Sequence, residues 1–334
     1  MKESEIRPQQ LMDEYLHLAR QDVPIYFANT AVREHIPCPA CANPESSFSF
    51  AKIGFDYRGC SDCNTLFLSP RPLLSQFVDF YENSPSSTFW ANVFFPAVAE
   101  ARRNKIFIPR VHKIKELCRQ HSFSPKTIID VGAGHGMFLE EFKRCSDVPL
   151  RLCAVEPGFA LAEICRDKGF EVLEKIVEDA SEWRGIADLV TCFEVIEHAH
   201  NPLEFIRSLM ALLKPGGYLL VSGLNVEGFD IQLLWEQSKS ISPPHHINFL
   251  SVSGFQQLFG RAGLQNVEVL TPGRLDVDIV LNMLASGHAI SMSRFEKTLL
   301  SRGSDTHAAF QQFLSECQLS SHCFIWGRND YIAS

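Results

Sequence analysis

The chain has 334 residues, of which 46% are hydrophobic and 21% are charged, with a formal net charge of −8 at pH 7. This length suits one main domain with additional segments, and the composition is typical of a folded globular protein. The negative charge argues against a broad nucleic-acid interface, so we expect a small-molecule partner, although the basic stretch at 101–115 leaves a local patch open.

The N-terminal segment, residues 1–35, begins with MKESEIRPQQ and has no apolar run of the kind found in a signal peptide. We predict a helical segment here. No apolar run in the chain approaches the roughly 20 residues of a membrane span. Cys153 and Cys192 lie inside apolar runs, as reduced cysteines do. A soluble protein of the reducing cytoplasm is therefore expected.

Two cysteine pairs follow, CPAC (Cys38, Cys41) and CSDC (Cys60, Cys63), separated by 18 residues. Each pair can direct two thiolates at one metal, and the intervening segment can return as a hairpin. Residues 36–72 are thus predicted to form a four-cysteine zinc module, with a structural Zn²⁺ that has no open coordination position. The alternatives are four reduced core cysteines or a redox CxxC motif.

Residues 73–115 contain aromatic clusters such as FVDFY and FWANVFF before the basic stretch. We interpret them as a helical cover, or linker, that leads into the next domain. The aromatic side chains are predicted to pack in a core, and lining a substrate pocket is the alternative.

Residues 127–142, TIIDVGAGHGMFLEEF, read as a buried strand, a glycine-rich turn and the start of a helix. Such a turn lets the backbone approach a nucleotide-like ligand closely. Glu156 ends the next apolar strand, twenty residues after Gly136, where a carboxylate can accept hydrogen bonds from ribose hydroxyls. The dinucleotide fingerprint requires a further glycine at the position of Met137, so a nicotinamide cofactor is disfavoured.

An acidic residue before GxGxG, with a second acidic residue ending the next strand, resembles the class I S-adenosylmethionine-dependent methyltransferases. The residues that match are Asp130, Gly132, Gly134, Gly136 and Glu156. By this resemblance the glycines contact the amino-acid portion of S-adenosylmethionine, Glu156 holds its ribose, and Asp130 lies near its ammonium group.

The resemblance continues through ADLVTCFEVIEH and LKPGGYLLVSG, and it covers about residues 116–272. It implies that Phe193 and Glu194, at the end of the fourth strand, line the cofactor. Asp179 is the residue expected to meet the adenine, with Glu178 as the alternative. The implied fold is an α/β, doubly wound, Rossmann-like sheet of seven strands.

This methyltransferase domain would span 116–334. Helical spacing after Gly273 predicts a helical insertion at about 274–318. By the resemblance, the final strand, HCFIWGRND, pairs antiparallel at the sheet edge.

The arrangement of a four-cysteine module ahead of this domain resembles that of one subgroup of the methyltransferases. Members of that subgroup methylate nucleotide-linked sugars and related surface-polysaccharide or natural-product intermediates. The expected activity is therefore methyl transfer to a small polar metabolite, with a nucleotide sugar favoured. The alternatives are an O- or N-methyltransferase of another small molecule, and a cofactor-binding regulatory protein without turnover.

The segment after the fifth strand contains PPHHINF, residues 243–249, at the sheet edge where ligands of α/β folds bind. Histidine titrates near neutral pH, so His246, or else His245, is our hypothesis for the general base. Glu236 or Asp230 would orient it or contact substrate. The alternative is that these histidines, like Asn248, hydrogen-bond the loop backbone.

Overall fold

The computed structural model describes residues 1–330. The first third of the chain contains short helices and three short strands. In order, these elements are α1 (Glu3–Ile6), α2 (Gln9–Tyr26), β1 (Ser46–Lys52), β2 (Phe55–Cys60), β3 (Leu66–Leu68), α3 (Leu74–Asn83), α4 (Pro85–Phe89), α5 (Phe95–Arg102) and α6 (Ile108–Gln120). Two π-helical turns, Trp90–Phe94 and Arg103–Phe107, flank α5, and such turns are frequent near functional sites.

The remaining residues alternate strands with helices. The strands are β4 (Thr127–Val131), β5 (Arg151–Val155), β6 (Glu171–Leu173), β7 (Ala187–Phe193), β8 (Leu213–Leu224), β9 (Asn248–Phe249), β10 (Glu268–Leu270) and β11 (His322–Arg328). The helices are α7 (Met137–Arg144), α8 (Phe159–Asp167), α9 (Pro202–Ala211), α10 (Phe229–Leu234), α11 (Val252–Ala262), α12 (Asp276–Ala285), α13 (Arg294–Leu300) and α14 (Ser304–Glu316).

Seven strands form the main sheet in the order β10-β11-β8-β7-β4-β5-β6. The five strands from β8 to β6 are parallel, and β11 runs antiparallel to both β8 and β10. The predicted doubly wound, seven-stranded sheet is confirmed. One detail differs, because β11 lies between β8 and β10, so β10 rather than the final strand forms the edge.

The central strands are buried on both faces, which explains their continuous apolar sequences. All five residues of β4 are buried. Ile129 and Val190 face one hydrophobic cluster, whereas Ile128 and Leu189 face the other. The period-two alternation therefore divides one apolar run between the two helical layers.

A smaller sheet, in the order β1-β2-β3-β9, joins the cysteine-containing segment to the main domain. Its last strand comes from the PPHHINF segment, with Asn248 paired antiparallel to Phe67. The two histidines therefore precede a strand that the N-terminal sheet holds in place.

The segment between β10 and β11 folds into α12, α13 and α14, which share a hydrophobic cluster that includes Val280, Leu300 and Leu314. Among residues 1–330, every helix is too short or too polar to cross a bilayer.

Candidate active site

The glycine-rich turn connects β4 to α7 at the carboxyl edge of the sheet. Gly132, Gly134 and Gly136 all have left-handed φ angles, of 69°, 54° and 66°. A Cβ on Gly132 would lie 2.7 Å from Cγ2 of Val195, so that position has no room for a side chain. A Cβ on Gly134 would meet no atom within 4 Å, which leaves open space above the turn for a ligand.

Glu156 fastens this turn to the end of β5. Its carboxylate accepts hydrogen bonds from the backbone N–H of Gly134 at 2.8 Å and of Gly158 at 3.0 Å. Burial raises the pKa of Glu156, and these two donors partly oppose the shift. A carboxylate has about four lone-pair sites, so two remain for the hydroxyls of a ribose.

Asp130 is 3% exposed and lies between β4 and β7. Its Oδ1 accepts a hydrogen bond of 2.7 Å from the hydroxyl of Thr191. Burial raises the pKa of Asp130 to about 7, against the lowering effects of the Thr191 hydroxyl and of Arg110. The carboxyl group can therefore change charge near neutral pH.

Phe193 and Glu194 lie where β7 ends, and Glu194 has a left-handed φ of 57°. The Glu194 carboxylate accepts a hydrogen bond from the Ser222 hydroxyl and lies 3.4 Å from Nδ1 of His322 and 3.7 Å from Arg110. Burial alone would raise the pKa of Glu194, but these three neighbours hold it well below its usual range. Glu194 is therefore ionised at neutral pH.

Asp179 lies in the exposed short helical turn Val177–Asp179, which follows β6. Because β6 pairs with β5, Asp179 follows the strand next to the one that precedes Glu156.

His246 is fixed by its Nδ1 atom, which donates to the carbonyl of Ser240 at 2.6 Å and lies 3.3 Å from the Ser242 hydroxyl. Its own carbonyl accepts a hydrogen bond from the hydroxyl of Tyr57 in β2. Burial lowers the pKa of His246 to about 3. The ring is therefore neutral, and its Nε2 carries the available lone pair.

His245 lies deeper, at 4% exposure, with its ring 4.7 Å from that of Phe80 and 5.1 Å from that of Tyr15. Its Nε2 is 3.3 Å from the Ser86 hydroxyl. The His245 carbonyl accepts a hydrogen bond from Nδ1 of His198 at 2.8 Å. Residues of the helical cover and of the loop after β7 therefore hold the histidine segment in place.

Glu236 is exposed, and no hydrogen bond or ion pair joins it to another residue within 1–330. Asp230 is fully buried, and burial followed by the nearby Asp276 raises its pKa well above the usual range. Neither carboxyl group hydrogen-bonds to His245 or His246. The structure brings the two histidines together with His198 rather than with these acids.

Glu197 is buried beside the histidines, and its Oε2 has no hydrogen-bond partner in the described part of the chain. One ligand atom each from Glu197, His198 and His246 lies within 4.8 Å of the others. Because Nδ1 of both rings donates to a main-chain carbonyl, only the Nε2 atoms and the carboxylate could contact a cation here.

A cavity of about 170 Å³ lies between α6, the end of β7 and the insertion helix α12. Glu194, His322, Arg110 and Asp276 all line it. Glu194 directly follows β7 at the carboxyl edge of the sheet, which is the edge where ligands of such folds bind.

The four N-terminal cysteines converge. Sγ of Cys38 lies 3.6 Å from that of Cys63, and Sγ of Cys41 lies 3.4 Å from that of Cys60, with no disulfide among them. Tetrahedral zinc thiolates with bonds of about 2.3 Å place their sulfur atoms at a similar spacing. The Ser251 hydroxyl donates to the Cys63 carbonyl, which ties the cluster to the start of α11.

Residues 99–269 match a family model described as a methyltransferase domain. The match spans 171 of the 334 residues and includes the glycine-rich turn, Glu156 and the histidine segment. The chain belongs to this methyltransferase family.

Curated relatives of the methyltransferase match part of its length. A ubiquinone biosynthesis O-methyltransferase of Vibrio parahaemolyticus is 37% identical over 113 residues, which are 30% of this chain and 44% of that protein. The protein of the same name from Xanthomonas oryzae is 36% identical over 105 residues, 29% of this chain and 43% of that protein. The chain thus spans less than half the length of these relatives.

Solved structures resemble the methyltransferase in fold. The plantazolicin methyltransferase BamL, solved with a triazolic desmethylPZN analogue and SAH, aligns with a TM-score of 0.51 over 76% of this chain and 95% of that one, at 12% identity. The plantazolicin methyltransferase BpumL gives a TM-score of 0.50 over 76% and 94%, at 15% identity. At these identities the similarity concerns the fold alone.

The family match accords with S-adenosylmethionine, the cofactor that the sequence motifs indicate. The residues present fit that cofactor. The turn has open space at Gly134, Glu156 has two unused acceptor sites, and an acidic side chain, Asp130, stands before the turn.

Several residues at the site were not singled out from the sequence, namely Arg102, Arg110, Ser86, Glu197 and His322. Arg102 and Arg110 belong to the basic stretch that suggested a nucleic-acid patch. Their spacing of about two helical turns could have indicated that they lie on one face of a helix. The direction in which they point, however, depends on the π-helical turn Arg103–Phe107 between them.

Proposed function

We propose that this methyltransferase transfers a methyl group to a small polar metabolite bound in the cavity beside Glu194. The observation that carries the proposal is that Glu194 lines this cavity and directly follows Phe193, the residue at the end of β7 that is predicted to line the cofactor. One residue thus borders both the predicted cofactor position and a space suited to an acceptor.

For the cofactor we propose the residues that the family motifs indicate, which are Asp130, Gly132, Gly134, Gly136, Glu156, Asp179, Phe193 and Glu194. When bound, S-adenosylmethionine supplies an electrophilic methyl group. Glu156 would hold ribose hydroxyls with its free lone pairs, and the glycines would admit the ligand backbone. The helical cover would exclude water, since the ring of Phe95 stacks on His135 of the turn at 4.2 Å.

For the general base we propose His246, with His245 as the second candidate and Glu236 as a substrate-contacting residue. His246 does not itself line the cavity, but Ser240, whose carbonyl accepts the hydrogen bond from Nδ1 of His246, does. This hydrogen bond fixes the tautomer and leaves Nε2 able to accept a proton. His245 is less suited, since aromatic rings surround it and Ser86 faces its Nε2.

The acceptor class that we favour from the motif arrangement is a nucleotide-linked sugar or a related polysaccharide or natural-product intermediate. The second candidate is O-methylation of another small molecule, which the names of the relatives from Vibrio and Xanthomonas favour. Deprotonation of a hydroxyl, or of a carbon beside a carbonyl, needs a base near the acceptor in either case.

The test begins with calorimetric binding of S-adenosylmethionine and of NAD to the purified chain. We expect binding of the former alone, followed by methyl transfer to one member of a panel of nucleotide sugars and phenolic acceptors. His246→Ala should lower kcat about 100-fold or more with unchanged cofactor affinity, and His245→Ala should lower it less. Unchanged turnover in both variants would rule out a histidine base.

We also propose that residues 36–72 form a unit stabilised by one structural Zn²⁺ held by Cys38, Cys41, Cys60 and Cys63. The sulfur spacing and the absence of disulfides among the described cysteines support this. The further division into 1–35, 73–115 and 116–334 follows the changes in sequence pattern. Eleven free cysteines are in keeping with a reducing, cytoplasmic location.

A further inference from the structure

The cavity beside Glu194 is lined by far more positive than negative side chains. We propose that it binds an anionic group of the methyl acceptor, either a phosphate or a carboxylate. This inference rests on the proposed function, because it assigns the acceptor rather than the cofactor to the cavity.

Six cationic side chains line the cavity, but only two acidic ones, Glu194 and Asp276. The cationic residues are Arg7, Arg102, Lys105, Arg110, Lys113 and Arg274. The whole chain carries a net charge of −8, so this concentration of positive charge is opposite in sign to the average of the protein. It is supplied by three separate segments, which are the end of α1, the continuous helical run from α5 through α6, and the residues just before α12.

Three of the cations form no ion pair in the described chain, although Arg102 lies over the Phe95 ring, 5.5 Å from its centre. The side chains of Arg7, Arg102 and Arg274 make no hydrogen bond and no ion pair with any residue between 1 and 330. Lys105 and Lys113, by contrast, pair with Glu5 and Glu116 at 3.3 and 3.1 Å.

The two arginines that lie deepest also have unused donors. Nε of Arg102 and Nε of Arg110 are buried and have no hydrogen-bond partner in the described chain. Arg110 is only 6% exposed. Burial, and then the nearby Arg7 and Arg110, lower the pKa of Arg102 to about 10, so it remains charged at neutral pH. Arg110 pairs with Glu194, but Arg102 forms no ion pair within residues 1–330. An unpaired charge held away from water is costly, and a bound anion would supply the missing partner.

The two acids in the cavity cannot supply it, because other groups already occupy them. The Asp276 carboxylate accepts hydrogen bonds from the Ser320 hydroxyl, the Ser321 N–H and the Gln311 amide, at 2.6, 2.6 and 2.7 Å. Glu194 is held by Ser222 and His322 as well as by Arg110.

Guanidinium groups match the paired oxygens of phosphate and carboxylate with two parallel hydrogen bonds. The remaining walls include Ile6, Leu275 and Ile279, so an apolar portion of the same molecule can lie against them. An anion held by these arginines would keep the rest of the acceptor near Glu194 and the end of β7, where the methyl group is expected.

The test is calorimetry at low salt on the 334-residue chain saturated with SAH. The ligands are inorganic pyrophosphate, benzoate, and benzamide as the neutral counterpart of benzoate. We expect pyrophosphate or benzoate to bind and benzamide not to bind. Pyrophosphate binding would indicate a phosphate-bearing acceptor, and benzoate binding a carboxylate. Arg102→Gln and Arg274→Gln should each weaken the anion about tenfold, equal to about 1.4 kcal/mol.

Arg119→Gln is the matched control, because Arg119 is an exposed arginine of α6 that does not line the cavity. Arg274 is exposed, so its variant should fold even where Arg102→Gln does not. Equal binding of benzamide and benzoate, or no binding of either anion, would overturn the inference. So would anion binding that SAH abolishes, since the arginines would then hold the cofactor carboxylate. Failure of SAH itself to bind would instead contradict the proposed function.

Discussion

The guanidinium carbon of Arg110 lies 4.1 Å from the centre of the Phe193 ring, and its Nη2 lies 3.7 Å from Oε1 of Glu194. Arg110 belongs to α6, whereas Phe193 is the last residue of the central strand β7 and Glu194 directly follows it. A buried cation thus connects the helix before the domain with the strand expected to line the cofactor. Cation–π contacts of this kind strengthen when they are shielded from water.

This contact predicts energetic coupling between Arg110 and Glu194. Arg110→Met should lower the free energy of unfolding by about 2 kcal/mol, because it removes a buried cation from the half-buried Glu194 and from the Phe193 ring. In a double-mutant cycle with Glu194→Gln, measured by chemical denaturation, we expect a coupling of about 1 to 2 kcal/mol. Additive effects of the two substitutions would show that the pair contributes nothing to stability.

Alanine should destabilise the protein more at Gly132 than at Gly185, although the two glycines have nearly the same φ angle. Gly132 and Gly185 have φ angles of 69° and 67°, but an added Cβ clashes with Val195 only at Gly132. Gly185→Ala should cost about 1 kcal/mol through backbone strain alone. Gly132→Ala should cost about 2 kcal/mol more in denaturant unfolding. Equal losses would mean that Val195 moves away freely.

The cysteine cluster predicts one zinc per chain, measured by elemental analysis of the purified protein. Cys38→Ser should abolish bound zinc and lower Tm, since Cys38 and Cys63 share a hydrophobic cluster with Phe255 of α11. The exposed Cys317 provides the matched control, and Cys317→Ser should leave zinc and Tm unchanged. Full zinc content in Cys38→Ser would contradict the four-thiolate site.

The raised pKa of Asp130 predicts that cofactor binding depends on pH. Its pKa of about 7 means that the carboxyl group of the free protein becomes protonated as the pH falls below 7. If Asp130 attracts the cofactor ammonium, the affinity for SAH should fall by up to about tenfold per pH unit from pH 7 to 5. The near-isosteric Asp130→Asn can still accept the Thr191 hydrogen bond and should not show this fall. Equal pH profiles for both proteins would place the ammonium elsewhere.

The glycine-rich turn illustrates what local sequence can predict. TIID, GAGHG and the apolar helix that follows lie next to one another in the chain, so their structures follow from short-range sterics and from hydrophobic period. Glu156 is predictable for the same reason, because it ends the next strand and parallel strands end at one edge. The paired cysteines are similar, since the ligand number and spacing for zinc are themselves specific.

The histidine segment shows the opposite case. Its sequence indicated a position at the carboxyl edge of the sheet but not the residues that contact it. Those partners are Tyr57 of β2, Ser86 of the helical cover and His198 of the loop after β7. Glu236, near in sequence, lies exposed and makes no contact of this kind.

The sequence by itself therefore determined the α/β class, the cofactor motifs and the cysteine quartet, because each depends on neighbouring residues or on a fixed spacing. Only the tertiary structure decided which charges meet. Arg7, Arg110 and Arg274 are far apart in the chain, and their shared cavity exists because α1, α6 and the start of α12 converge on the end of β7. Charge at a site is set by such long-range packing, which no local pattern encodes.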